Sequence, residues 1–354
     1  MRGRTRLWVS ISIPVLLLVI ILGAYFWQQR AVMSSNTTTS NTSKTPLTTV
    51  RLALDWTPNT NHTGIFVAEE NHWYQQEGIN LQILPYSANV TPDTLVTTGK
   101  ADVGISSTEQ IVSDAAVGQP VVSIAAIVEH NTSGLAVLSS SGITNPKQLD
   151  GKVYGAFGAP YETPVISQVI KHNGGTGNFK SVTIDIDPIQ ALQSHRVDFV
   201  WVFAGAEGIQ AKDEGIKLNF FPISSNGIPD YSTPDLITSP TEAAQKADLL
   251  KRFMAATAKG YEYARQHPQQ AAQDLIAANP KGTFPDQKYV FDSQDYLSPR
   301  YADSGQQWGL QTAASWTNYP QFIVQHDGVT DAAGNPVHSI NYSSLYTNKF
   351  LPGQ

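Results

Sequence analysis

The chain has 354 residues with 23 Lys and Arg against 29 Asp and Glu, too long for one compact core and suited to two lobes with accessory segments. Arg2, Arg4, Arg6, Arg30 and Lys44 all precede the first acid, Asp55, so the chain from residue 50 onward holds 18 cations against 29 anions, a formal charge of about −11; that balance excludes the basic face nucleic acid requires. There is no cysteine, which excludes disulfides, thiolate zinc sites, iron–sulfur ligation and a cysteine nucleophile.

Between Arg6 and Arg30 runs LWVSISIPVLLLVIILGAYFWQQ, 23 uncharged residues. At about 1.5 Å per residue its apolar part can cross a hydrocarbon layer of roughly 30 Å. The preceding arginines predict a cytoplasmic N-terminus, and Trp8, Tyr25 and Trp27 suit the two interfaces. A small-x-small cleavage site is lacking, and Tyr25 stands where a lipoprotein signal needs cysteine. Residues 1–33 are therefore expected to form a cytoplasmic tip and a single uncleaved transmembrane helix, with a cleaved signal peptide as the alternative. Residues 34–49, SSNTTTSNTSKTPLTT, have almost nothing to bury and are expected to be a disordered tether.

From Val50, short apolar runs alternate with helical ones. VRLALDW reads as a strand, residues 63–77 as a helix, NLQILPY as a strand, and residues 91–99 as a helix opened by Thr91 and Pro92. ADVGISS follows as a strand, EQIVSDAAVG as a helix and PVVSIAAIV as a strand. Strands separated by helices imply a mostly parallel α/β sheet, with ligands off the carboxyl ends of its strands. SGLAVLSSSGI, residues 133–143, reads as a crossing strand into a second lobe that repeats the scheme. There KVYGAFGAP is a strand and glycine-rich turn, Tyr161–Asn173 a helix, SVTIDI a strand, DPIQALQSHR a helix capped by Asp187, and VDFVWVFAG a strand. A return crossing is expected within residues 230–240. The first lobe is thus read as residues 50–137 plus 238–354 and the second as residues 138–237, a clamshell whose cleft is the favoured ligand site. After Pro240, Leu249, Leu250, Phe253, Met254, Thr257, Ala258 and Tyr261 share one helical face expected to pack on the first lobe, and WGLQTAASW, with Trp308 and Trp316, is expected to be core and lobe surface.

Enzymatic templates fail. The sequence has no GxSxG elbow, HExxH pair or GxxxxGK[ST] loop, and its eight histidines show no metal-ligand spacing. His72, His172, His195, His267, His326 and His338 are expected on the surface or in loops, and no catalytic group, metal or cofactor is expected. What remains is a set of aromatics and carboxylates at strand ends: Asp55 with Trp56, Glu109, Tyr161 with Glu162, and Trp201 with Glu207. Each has a bland alternative: Trp56 as core, Glu109 and Glu162 as first-turn acids favoured by the helix dipole, Glu207 as a solvated loop acid. Together they describe a slot that stacks a flat ring, at roughly 0.5–1.5 kcal/mol per ring pair beyond area burial. Its carboxylates accept hydrogen bonds from amino groups at about 1.5–3 kcal/mol each. Such a slot favours a planar, amine-bearing heterocycle over an anion, which would want an arginine these segments lack.

LDWTPNTNHTGIFVA, DVGISSTEQ, EHNTSG, LDGKVYGAFGAPYE and DFVWVFAGAEGIQA occur in this order. In them the chain resembles the SsuA/THI5-like family, also called the NMT1 family, over about residues 50–325, and more narrowly its bacterial members that capture pyrimidine precursors of thiamine. The resemblance implies a periplasmic-binding-protein type II clamshell. Asp55, Trp56, Asn59 and His62 would form one wall with Glu109, and Tyr161, Glu162, Trp201 and Glu207 the other. It implies an extracytoplasmic solute-binding protein of an ABC importer, a monomer partnered by a permease and its ATPase subunits, taking a formylaminopyrimidine or hydroxymethylpyrimidine. A flavin-like heterocycle or a sulfonate-like solute is the alternative ligand. The family also contains fungal pyrimidine synthases with a lysine-bound pyridoxal phosphate, an active-site histidine and a cysteine-rich iron motif. This chain departs from them with Ser106 in place of the lysine, Gln110 in place of the histidine, and no cysteine at all.

Overall fold

The computed structural model describes residues 46–354; the expected anchor and residues 34–45 of the expected tether lie outside them. Among the described residues no helix is long and apolar enough to cross a membrane. Residues Leu47–Gln354 form one compact unit.

The strands are β1 (Thr48–Ala53), β2 (Ile79–Leu84), β3 (Val103–Ser106), β4 (Val122–Ala126), β5 (Ser133–Leu138), β6 (Val153–Ala156), β7 (Lys180–Thr183), β8 (Phe199–Phe203), β9 (Leu218–Pro222) and β10 (Asp235–Thr238). They form two five-stranded sheets, ordered β2-β1-β3-β10-β4 and β7-β6-β8-β5-β9. In the first sheet β1 pairs in parallel with β2 and β3, while β10 runs antiparallel to β3 and β4. The second sheet copies the scheme, with β6 parallel to β7 and β8, and β5 antiparallel to β8 and β9. Each antiparallel strand is the one the chain enters directly after crossing between lobes, so each sheet is completed by a strand that has just arrived from the other. The crossings are residues 127–132 and 223–234, and the expected lobe boundaries at 137/138 and 237/238 fall inside β5 and β10.

Local chemistry accounts for the element ends. Thr91, Ser107, Asp187 and Ser239 each accept a backbone N–H with the side chain at the start of a helix, and proline follows in three of the four cases. β3 is buried along its whole length, as a strand covered on both faces must be. Thr48 and Thr49, read as tether, pair with Ile79 and Asn80 instead; β-branched threonine fits a pleated strand as well as it fits a loop. The helix expected over residues 63–77 breaks into Thr63–Glu70 and Trp73–Gln76. Asn71 turns its side-chain amide back onto the Val67 carbonyl at 2.9 Å, and His72 takes a left-handed conformation with φ 58°.

The C-terminal third packs against both lobes. The helix Ala247–Gln266 buries Leu250, Phe253, Met254, Thr257, Ala258 and Tyr261 on the expected face, with Leu249 half-buried at its margin. In the helix Ser315–Gln325, Trp316, Tyr319, Ile323 and Val324 share one apolar cluster with Ile111 and Val112 of the first lobe and Val165, Ile166 and Val169 of the second. Assigning all of residues 238–354 to one lobe therefore misses the contact this helix makes with the other.

β10 also holds a buried acid. Asp235 is fully buried, and burial lifts its carboxyl to about 8 against the lowering pull of the Ser232 and Thr108 hydroxyls. The single Thr108 hydroxyl proton faces both the Ser232 carbonyl at 2.7 Å and Asp235 Oδ2 at 3.0 Å; a proton on Asp235 lets both contacts be hydrogen bonds. The folded chain keeps this proton where the unfolded chain has released it, so stability should fall as pH rises from about 4 towards 8. Denaturant melts at pH 5 and pH 8 are expected to show a loss in the parent that Asp235→Asn reduces by about 2 kcal/mol or more. An equal loss in both proteins would contradict a neutral Asp235.

Candidate functional site

The sequence LDWTPNTNH leaves β1 at its carboxyl end and is held by its own side chains. Asn59 caps the 3-10 turn Thr60–His62, accepting the Asn61 N–H at 2.9 Å and donating its own backbone N–H to His62 Nδ1 at 3.3 Å. With Nδ1 an acceptor, the proton sits on Nε2, which donates to Asp55 Oδ1 at 2.7 Å. His62 is fully buried and serves as the support behind Asp55. The other Asp55 oxygen has no hydrogen-bond partner among the described residues, and Asp55 lines a cavity of about 1080 Å³.

That cavity lies between the lobes. One wall is Asp55–Asn61, the other is Asp185–Pro188 after β7, Phe203 at the end of β8 and Gly205–Glu207 after it. Thr132 and Thr233 of the two crossings line its floor, and Thr283–Asp286 and Lys288–Val290 close one end. The wall at that end is tied across the lobes: Thr60 Oγ1 donates to Ser293 Oγ at 2.6 Å, and Ser293 donates on to the Gly205 carbonyl at 2.5 Å. Trp56 is 58% exposed at the cavity, tilted against Tyr86 with ring centroids 5.0 Å apart. Opposite, Phe203 at the end of β8 is 41% exposed.

The lining is acidic. Asp55, Asp185, Asp187, Glu207, Asp213, Glu214 and Asp286 face one lysine, and no arginine lines it among the described residues. That lysine, Lys288, is already paired with Asp213 and with Asp292 at 2.9 Å. Glu207 accepts the Phe203 N–H at 2.9 Å, and burial raises its carboxyl above the usual range despite that bond.

Of the residues singled out in the sequence, Asp55, Trp56, Asn59 and Glu207 line this cavity, while His62, Glu109, Tyr161, Glu162 and Trp201 do not. Glu109 is buried and accepts the hydroxyls of Tyr231 at 2.5 Å and Tyr319 at 2.9 Å. Glu162 is buried and accepts Tyr154 Oη at 2.7 Å, the Phe157 N–H at 3.1 Å and the Ala159 N–H, so its carboxylate shapes the turn after β6. Trp201 donates Nε1 to Ser133 Oγ at 2.7 Å, with Tyr161 edge-on at 6.1 Å and Phe157 at 6.4 Å. Tyr161, Glu162 and Trp201 are thus gathered with Phe157 into one aromatic corner of the second lobe. Sequence reasoning passed over Phe157, 52% exposed, and Phe203, although both stand at strand ends, Phe157 directly before Gly158 and Phe203 two residues before Gly205. Ser106 donates to Asp93 Oδ1 at 2.6 Å and Gln110 to Asp114 Oδ1 at 2.8 Å, so neither an amine nor an imidazole stands at either place.

A family model described as "NMT1/THI5 like" matches residues 59–271. The chain is 26% identical to the formylaminopyrimidine-binding protein of Halalkalibacterium halodurans, over 79% of this chain and 86% of that one. It is 25% identical to the 4-amino-5-hydroxymethyl-2-methylpyrimidine phosphate synthase of Legionella pneumophila, over 86% and 92%. Among solved structures, the periplasmic aliphatic sulphonate binding protein SsuA of Escherichia coli superposes with a TM-score of 0.57 at 12% identity, covering 72% of this chain and 84% of that one. A putative periplasmic sulfonate-binding protein from Methylobacillus flagellatus KT gives 0.61 at 19%, covering 86% and 93%. The fold is that of the two-lobe α/β periplasmic binding proteins.

Proposed function

The chain belongs to the NMT1/THI5 like family, and from that premise we propose that it is the substrate-binding protein of an ABC importer that captures a pyrimidine precursor of thiamine. The observation that carries this reading is the interlobe cavity: an exposed tryptophan beside a carboxylate fixed by a buried histidine, in an acid-lined wall to which no arginine among the described residues contributes. Trp56 supplies a face for a flat ring, and the free Asp55 oxygen and Glu207 supply acceptors for amino groups. A sulfonate, the ligand named for the Escherichia coli neighbour, would meet mostly like charge here. The relative named for formylaminopyrimidine binding supports the ligand class.

Function is capture without turnover. Relatives named as synthases exist, yet the Ser106 and Gln110 side chains are spent on Asp93 and Asp114. Closure is a hinge motion at the two crossings, and the closed form docks on a separate permease with its ATPase subunits. In this reading the body stands outside the cell, held by residues 1–33 as a membrane anchor, which membrane fractionation of the full chain checks.

Isothermal titration of the purified protein with formylaminopyrimidine and hydroxymethylpyrimidine is expected to show micromolar or tighter binding to one of them, and none to an alkanesulfonate. Trp56→Ala and Asp55→Asn are each expected to weaken it at least tenfold, about 1.4 kcal/mol. Unchanged affinity in both variants would remove the site, and preference for the sulfonate would remove the ligand class. A colourless preparation without Schiff-base absorbance is the companion result expected of a binding protein.

A further inference from the structure

Outside the cavity, one imidazole sits where both crossings meet a third segment. His130 lies on the first crossing, Asp230 on the second, and Asp303 in the loop after the 3-10 turn Ser298–Arg300. His130 Nδ1 donates to Asp230 Oδ2 at 2.5 Å, and the other Asp230 oxygen accepts the Asn131 N–H at 3.1 Å. Because a carboxylate only accepts, the Nδ1 proton is fixed; Nε2 faces Asp303 Oδ2, 3.3 Å away, and that carboxylate favours a second proton there, which a bound ion would displace. Glu129 accepts the Asp303 backbone N–H and holds that loop beside the imidazole.

One ligand atom each from Glu129, His130 and Asp303 can be chosen so that all lie within 4.8 Å of one another. A tetrahedral ion with bonds of about 2.0–2.2 Å places its ligand atoms roughly 3.4 Å apart, so small rotations of exposed side chains complete the contraction. The His130 and Asp303 side chains are half or more exposed, so those rotations are open to them. Charge points the same way: Glu129, Asp230 and Asp303 surround the single imidazole. The nearby Arg300 guanidinium is turned away, lying 3.7 Å over the Tyr296 ring and donating to the Tyr296 carbonyl. A histidine whose far nitrogen is held by a carboxylate is the arrangement that fixes the tautomer of a metal-ligating imidazole.

We propose that Glu129, His130 and Asp303 bind a first-row divalent transition-metal ion, with Asp230 orienting the imidazole, at the point where the two crossings and the Asp303 loop converge. Imidazole together with carboxylates selects zinc-like ions over calcium or magnesium, which take oxygen ligands. The ion joins the first crossing directly to the Asp303 loop, and reaches the second crossing through Asp230. It therefore braces the hinge and not the ligand cavity.

The experiment titrates the purified full chain with Zn²⁺, with Mg²⁺ in parallel, followed by calorimetry and thermal melting. Zn²⁺ is expected to bind with one-to-one stoichiometry and raise the melting midpoint by several degrees, while Mg²⁺ leaves it unmoved. His130→Gln and Asp303→Asn should each weaken Zn²⁺ binding at least tenfold. Co²⁺ in place of zinc should give visible d–d absorption in the parent that His130→Gln abolishes. Asp303→Asn changes one exposed side chain and keeps its shape, so it stands as the test if the histidine variant fails to fold. No midpoint shift with millimolar Zn²⁺, or a shift and affinity that persist in Asp303→Asn, would overturn the assignment.

Discussion

Gly260→Ala is expected to destabilise the protein by about 3 kcal/mol or more, at the upper end of what overpacking costs. A Cβ at Gly260 would sit 1.9 Å from the Gly64 carbonyl oxygen and 2.8 Å from its carbon. Backbone cannot rotate out of the way, so the helices Thr63–Glu70 and Ala247–Gln266 must move apart. The shorter of them is buried from Thr63 to Ala68, which leaves it no free side to retreat towards. Gly64 is itself covered by the Tyr261 ring, 2.3 Å from where its own Cβ would lie. Thr63 directly follows His62, the residue behind Asp55, so a displaced helix also disturbs the cavity wall, and ligand affinity should fall with stability. Urea unfolding checks the first effect, with Gly208→Ala as comparison: its Cβ meets nothing closer than 3.7 Å and should change little. Parent-like stability in Gly260→Ala would mean the two helices are not in close contact.

What the sequence made legible follows from where the information is local. Strand and helix alternation is written in apolar period and in caps such as Thr91-Pro92 and Asp187-Pro188, and those elements stand where they were expected. β9, LNFFP, was not anticipated, because a half-buried edge strand following a turn has neither full alternation nor a continuous apolar run. The site was legible in part. Asp55, Trp56 and Asn59 lie on one short turn whose geometry the local sequence fixes. Whether Glu109 and Glu162 point at a ligand or into the protein depends on tyrosines far along the chain or across a turn. Tyr319 is 210 residues from Glu109, and no local pattern announces the pair. The histidine cluster is hidden for the same reason: His130, Asp230 and Asp303 have no ligand-like spacing and meet only through the crossings.

The second large effect is expected from Glu109→Ala, at about 3–5 kcal/mol. Tyr231 and Tyr319 are fully buried with rings stacked at 3.5 Å, and both hydroxyls converge on Glu109 Oε1. Burial first, and the Glu109 charge after it, hold both phenols well above their ordinary value, so both remain donors. Removing the carboxylate strands two hydroxyls without an acceptor at about 1–3 kcal/mol each, and a cavity adds to that. Glu109→Gln keeps a carbonyl acceptor in the same place and should cost clearly less than the alanine variant. The attribution is tested by a cycle with Tyr319→Phe, which deletes one of the stranded hydroxyls. If unsatisfied phenols carry the loss, Glu109→Ala combined with Tyr319→Phe must cost less than the sum of the two single changes. Additive losses would instead place the cost in packing alone. The three groups belong to a helix start in the first lobe, the return crossing, and the C-terminal helix that touches both lobes. A loss concentrated in the hydroxyls would therefore make this buried carboxylate a polar link between the hinge and the helix spanning it.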